Sequence, residues 1–328
     1  MIQWLKGTTL IGLVAAVIAA LGPAPAGAQD RSAAKPEKAA IKVGIIPISN
    51  LTPLYTAQKL GYFRDEGLSV ETTTASGGPA LTGALIGGSL DFVYNNYVSL
   101  FQAAAQGFGL VIVAHQNSAQ QSPPDAAPLV VASDGGIAKV SDLANKRIAI
   151  NALDNINRLA AQYFLEKNGI AGDKVRFVEV PFPNMGDALA KGQVDAACLV
   201  EPFVTFLKNA GKIRALGYPF IETSPGLDIA GFVASRKFVS ENPVTVERFV
   251  AALARANAYL NGNREERVKL VAEFTKSKPE LIRELTLDRW SHTVTEKHLQ
   301  ILADLSLRYG LQKTPVKIAD LVYKTAVK

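Results

Sequence analysis

The run KRIAINALDNINRLAAQYFLEKNGI at 146–170, continued by KVRFVEVPFPNMGDALAKGQVDAACLVEPF at 174–203, decides the fold. It reads strand, helix, strand, helix, strand. Residues 147–151 form a short apolar run, after which Ile156, Leu159, Ala160, Tyr163 and Phe164 recur at helical spacing. Asn168-Gly169 supplies the stop, because glycine takes the left-handed conformation that ends a helix. Residues 175–180 make a second strand, and Pro181-Phe182-Pro183 reads as the loop after it. Asn184 then caps a short helix over 185–191, closed by Gly192. Residues 194–200, apolar apart from Asp195, suit a strand buried on both faces. Such alternation predicts a parallel sheet with helices on either side.

An earlier stretch repeats the pattern. Ala84-Leu85-x-x-Gly88-x-Leu90-Asp91-Phe92 aligns with Ala188-Leu189-x-x-Gly192-x-Val194-Asp195-Ala196, and Ser49-Asn50 aligns with Asp154-Asn155. Both copies carry Gly, Ser, Asn or Asp at the strand-to-helix turns, where open α/β sheets bind ligands. Two α/β lobes facing each other across a cleft are therefore expected, with Asp91 and Asp195 as caps or turns inside their lobes. The first unit has strands at 41–46, 69–73, 90–94 and 111–115. Ser76-Gly77-Gly78-Pro79 opens a helix with glycines that let backbone N–H groups approach a ligand. Asn95-Asn96 and Asn117 fall where a cleft would lie. Short apolar strands at 129–132 and 231–235 bracket the second unit and read as a pair beside two crossovers, near Ser133 and Pro225. Beyond them the chain is mostly helical, at 243–262 and about 264–275, 279–287, 295–309 and 316–326.

With 328 residues, 48% hydrophobic and 20% charged, the chain has material for two cores. Its formal charge of +6 comes from scattered basic residues with no run of five, which argues against a nucleic-acid face. Lys6, the apolar run 10–21 and Ala26-Gly27-Ala28 read as an export leader over 1–28, too short to span a membrane. A disordered tail is expected over 29–40. The single cysteine, Cys198, sits in an apolar strand and reads as a small buried hydrophobe, leaving no disulfide. His292 and His298 lack the spacing of a helical metal pair, and there is no nucleophile elbow.

AQKLGYFRDEGLSVE at 57–71, GALIGGSLDF at 83–92, VSDLANKRIAIN at 140–151 and ALAKGQVDAACLVEPF at 188–203 together resemble the periplasmic solute-binding proteins of the nitrate, sulfonate and taurine class of ABC importers. The resemblance implies a type II, two-lobe periplasmic-binding-protein fold, with 41–132 plus 226–328 as one lobe and 133–225 as the other. It implies a soluble periplasmic monomer that is no enzyme and uses no cofactor or metal. Such a protein captures a small sulfonate, nitrate or taurine-like solute and delivers it to an ABC permease and its ATPase. Carried onto this sequence, the ligand-holding turns are Ile48-Ser49-Asn50, Gly77-Gly78, Asn95-Asn96, Asp154-Asn155 and Glu201-Pro202, with Asn117 beside them. Relatives that bind thiamine-pyrimidine precursors or other heterocycles are the alternative, as is a secreted domain that presents ligand to a receptor. For an anion, the holding groups would be the N–H groups at helix starts. Asp154 either caps its helix or faces the ligand, and Glu201 either fixes its turn or meets a ligand amine or hydroxyl.

Overall fold

Among the described residues, ten strands form two five-stranded sheets with the same layout, β2-β1-β3-β10-β4 and β7-β6-β8-β5-β9. The computed structural model describes residues 34–287 and 290–327, so the expected leader lies outside the described residues. In the first sheet, β1 (Ala40–Ile45), β2 (Ser69–Thr74) and β3 (Phe92–Asn96) run parallel, while β10 (Asp228–Ser235) runs antiparallel between β3 and β4 (Leu110–Ser118). In the second, β6 (Arg147–Ile150), β7 (Arg176–Glu179) and β8 (Ala196–Cys198) run parallel, while β5 (Leu129–Ala132) runs antiparallel between β8 and β9 (Ile213–Gly217). Each sheet thus takes four strands of one direction from one repeat and one antiparallel strand from the crossing between repeats.

Helices α1 (Thr52–Lys59), α2 (Tyr62–Asp65), α3 (Gly78–Ile86) and α4 (Tyr97–Ala105) belong to the first repeat. Helices α5 (Ile156–Lys167), α6 (Phe182–Ala190), α7 (Phe203–Asn209) and α8 (Pro219–Thr223) belong to the second. Helices α9 (Arg236–Glu241), α10 (Pro243–Gly262), α11 (Arg264–Thr275), α12 (Pro279–Ile282) and α13 (Glu296–Arg308) follow the return to the first sheet. The apolar stripe of α10 is buried, and Phe249 stacks on Phe92 of β3 with ring centroids 4.2 Å apart. Burying such rings contributes on the order of 2 kcal/mol each.

The sequence repeat is visible in the hydrogen bonds. Asp91 Oδ2 accepts the Lys42 N–H at 2.9 Å, and Asp195 Oδ2 accepts the Arg147 N–H at 2.8 Å. Each carboxylate fastens the turn before β3 or β8 to the neighbouring parallel strand, the role expected of both.

Several expectations are corrected. Strand 129–132 does not pair with 231–235; it lies in the second sheet, antiparallel to β8 and β9. The crossing therefore comes earlier, in 119–128, and its partner is 218–227. The two segments bond to each other, Ala119 N–H to Leu227 O at 2.8 Å and Gly226 N–H to Gln120 O at 3.1 Å. Residues 35–40 are not a loose tail. Glu37 accepts the N–H groups of Val244 and Thr245 at the start of α10, and Lys38 Nζ lies 2.7 Å from Asp91. Helix α6 begins at Phe182, three residues early, because Pro183 fits a first helical turn, where no N–H is needed. Residues 316–326 form two short 3-10 turns instead of a helix. Between the turns Val322 bridges Ile112, and the Tyr323 N–H reaches Ile112 O at 2.9 Å, so the segment covers the open edge of β4.

Candidate functional site

A cavity lies between the two sheets, at the carboxyl ends of their parallel strands. The first sheet contributes Ile46, Ile48 and Asn50 after β1, Tyr94 and Asn96 from the end of β3, and Asn117 from β4. Ile229 and Ala230, at the start of antiparallel β10, complete that side. The second sheet contributes Asn151 after β6, Asn155 to Asn157 at the start of α5, and Val200 after β8. Phe182 and Phe220 close it from α6 and α8, and Asp125 to Ala127 enter from the first crossover.

The room for the centre of a water-sized sphere is about 50 Å³. That corresponds to roughly three to five waters, so the occupant is compact. A wider outer cavity of about 300 Å³ on the same measure shares Ile46, Ile48 and Phe182 with it, and adds Pro47, Pro181, Pro183 and Phe203.

Neutral amides fix the walls. Asn151 Oδ1 accepts from Asn155 Nδ2 at 2.7 Å and Asn157 Nδ2 at 2.5 Å, while Asn151 Nδ2 donates to Ser76 O across the cleft at 3.2 Å. Tyr94 OH donates to Asn117 Oδ1 at 2.7 Å. Asn155 caps α5, its Oδ1 accepting the N–H groups of Asn157 (3.0 Å) and Arg158 (3.4 Å). Asn96 Oδ1 accepts the Ser99 N–H at the start of α4 and, from the other sheet, the Ile156 N–H at 3.3 Å. The first three N–H groups of α5, which a helix start leaves without partners, are all taken by asparagine side chains.

Among the described residues, Asp125 is the one charged side chain in the lining. It is 3% exposed. Its Oδ1 accepts the Gln120 N–H at 3.0 Å, while its Oδ2 has no hydrogen-bond partner. Burial pushes its pKa above the usual carboxylate range, against the opposing pull of the Gln120 and Ala126 N–H groups.

Of the residues singled out from the sequence, Ile48, Asn50, Asn96, Asn117 and Asn155 line this cavity and the other six do not. Ser49 bonds across the cleft to the Glu201 carbonyl, 3.1 Å from Oγ. Gly77 and Gly78 pack against asparagines, and a Cβ on Gly78 would fall well inside contact distance of Asn95 Oδ1 and Asn96 Nδ2. Asn95 donates to Thr82 Oγ1 at 2.7 Å. Asp154 is exposed beside Arg158, 3.9 Å away, and is not the helix cap; Asn155 is. The Glu201 carboxylate holds the start of α7 through the Thr205 N–H (3.0 Å) and Oγ1 (2.8 Å), and accepts the Thr286 N–H at 3.3 Å. Burial raises its pKa. Between the two roles weighed for Glu201, these bonds favour fixing the turn.

Sequence reading missed Tyr94, Asp125, Asn151 and Asn157. Asn151 was findable, since it directly follows a parallel strand. Asp125 was not, because it sits in a Ser/Pro-rich connection whose fold no periodicity reveals. Cys198 is buried in β8 with its thiol pushed up to about 12 by burial, so it is inert.

The family model described as NMT1/THI5 like matches residues 48–267. The alkanesulfonate-binding protein SsuA from Xanthomonas axonopodis pv. citri, solved bound to MOPS, superposes with a TM-score of 0.75 at 24% identity over 89% of this chain and 99% of that one. The periplasmic nitrate-binding protein NrtA from Synechocystis PCC 6803 gives 0.74 at 16% identity, over 88% and 87%. The ligand-binding component of an ABC-type import system from Staphylococcus aureus, with zinc bound, gives 0.76 at 17%, over 87% and 97%. At these identities the likeness establishes the fold, which is that of these binding proteins.

Proposed function

The chain belongs to the NMT1/THI5-like family, and on that premise we propose that it captures a small organic solute and delivers it to the membrane permease of an ABC importer. The observation that carries this reading is the cavity between the carboxyl edges of the two sheets, lined by fixed amides and apolar side chains. Neighbours of the same fold are named for binding alkanesulfonate and nitrate and for serving an import system. Their architecture suits reversible capture, and the lining offers hydrogen bonds and apolar contact. The leader expected over 1–28 favours a capture step outside the cytoplasm, where a permease can collect the solute.

Deletion of the gene is expected to remove saturable uptake of whichever solute the purified protein retains. Unchanged uptake in the deletion strain, with the solute still bound by the purified protein, contradicts the import role.

A further inference from the structure

We infer that the solute presents a nitrogen-borne N–H donor, neutral or singly cationic, to the Asp125 carboxylate, and carries no anionic group. This rests on the capture reading above and assigns its substrate class. A buried carboxylate oxygen without a hydrogen-bond partner is costly unless a ligand completes it. Asp125 Oδ2 is such an atom, in a side chain that lines the cavity and is 3% exposed. An N–H donor supplies the missing bond, and a positive charge strengthens it.

An anion finds the opposite conditions. No Lys, Arg or His is among the described residues of the lining. Of the helix starts in the lining, that of α5 has its first three N–H groups occupied by Asn96 and Asn155. An anionic group would meet a carboxylate in a low-dielectric space and find the N–H groups that open α5 already claimed. The rest of the wall, from Ile46, Ile156, Phe182 and Val200 to Phe220, suits an apolar body behind the donor.

Asp125 also has a place in the machinery of the fold. It lies on the first crossover, where its Oδ1 accepts the Gln120 N–H and so fastens the segment that bonds to the return crossover at Leu227 and Gly226. A donor on Oδ2 therefore bonds the solute to the connection between the sheets as well as to their walls.

The test uses shape-matched pairs, benzylamine against benzenesulfonate and butylamine against butanesulfonate, with nitrate as a compact anion. Each is titrated calorimetrically into the wild-type chain and into Asp125→Asn, which keeps an oxygen for Gln120. In parallel, both proteins are exposed to a small-molecule cell extract, washed, and their retained solute identified by mass spectrometry. An amine that binds more tightly than its sulfonate partner, and about ten- to hundredfold more weakly to Asp125→Asn, supports the assignment. A retained solute with an N–H group and no acidic group, lost from the variant, supports it equally. A sulfonate or nitrate preferred by the wild type, a retained acidic solute, or amine binding that ignores the substitution overturns the assignment and leaves capture standing. No retained solute and no binding by any probe overturns capture itself, and this inference with it.

Discussion

The side-chain oxygen of Asn96 accepts the backbone N–H of Ile156 at 3.3 Å, so one asparagine caps α4 and also reaches the first residue of α5 in the other sheet. With Ser49 on the Glu201 carbonyl, Asn151 on Ser76 and Ser99 on the Asp154 carbonyl, it forms a row of polar contacts that draws the two strand edges together. These bonds join different repeats, so each forms only when the sheets close.

Asn96→Ala removes the cap and the cross-sheet bond together and should cost about 1 kcal/mol of stability in urea unfolding. Asn96→Ser keeps a capping oxygen but is too short for Ile156, and should recover most of that loss. Equal losses in the two variants would mean that the cap contributes nothing.

Gly78→Ala should destabilise by roughly 1–3 kcal/mol, because the new methyl meets Asn95, Asn96 and Ser99, the last at 3.0 Å. Gly77→Ala should cost less, since its nearest neighbours would stand at 3.1 and 3.3 Å and its backbone is extended. Urea midpoints of the two variants decide the order. Matching midpoints would show that the asparagines move aside freely.

His115 is buried between Tyr97 OH (2.7 Å) and Ser118 Oγ (2.9 Å). Burial lowers its pKa to about 4; Asp228 opposes the shift, and His298 and His292 add to it. An unfolded chain binds the proton near the ordinary value of about 6.5. The stability tied to neutral His115 is therefore whole above that pH and is lost as pH falls towards 4. His115→Gln should lose less stability than the wild type between pH 7 and pH 4.5, by more than about 1 kcal/mol. Parallel pH profiles would show that His115 takes up its proton without penalty.

Solute binding should close the sheets about the paired crossovers, 119–128 and 218–227, because the cavity is bounded by both sheets and by the first crossover. Small-angle scattering should give a smaller radius of gyration with the retained solute than after its removal. An unchanged radius at saturation would argue for a rigid site.

Much of this architecture can be read from the repeat. The alignment of Leu90-Asp91 with Val194-Asp195 foretells two α/β units, and the two carboxylates do take the same hydrogen bond. The sheet that β5 joins cannot be read from its four apolar residues, which carry no mark of their partner. The asparagines at the ends of β3, β4 and β6 follow the rule that ligands meet the carboxyl ends of parallel strands. The glycine turn at 77–78 obeys the same rule yet lies outside the lining, since Asn95 and Asn96 occupy the space beside it. Asp125 illustrates the limit, as its burial comes from long-range closure of a loop without periodic signal.

If the sheets hold one unmodified solute between them, native mass spectrometry of the wild-type chain beside Ala127→Phe detects it. Ala127 lines the cavity, and a phenyl ring there intrudes on the space a solute would occupy. After exposure to the cell extract, the wild-type protein should carry one solute per chain, recovered chemically unchanged, and the folded variant should carry none. Equal loading of the variant, or recovery of a converted product, would contradict the account.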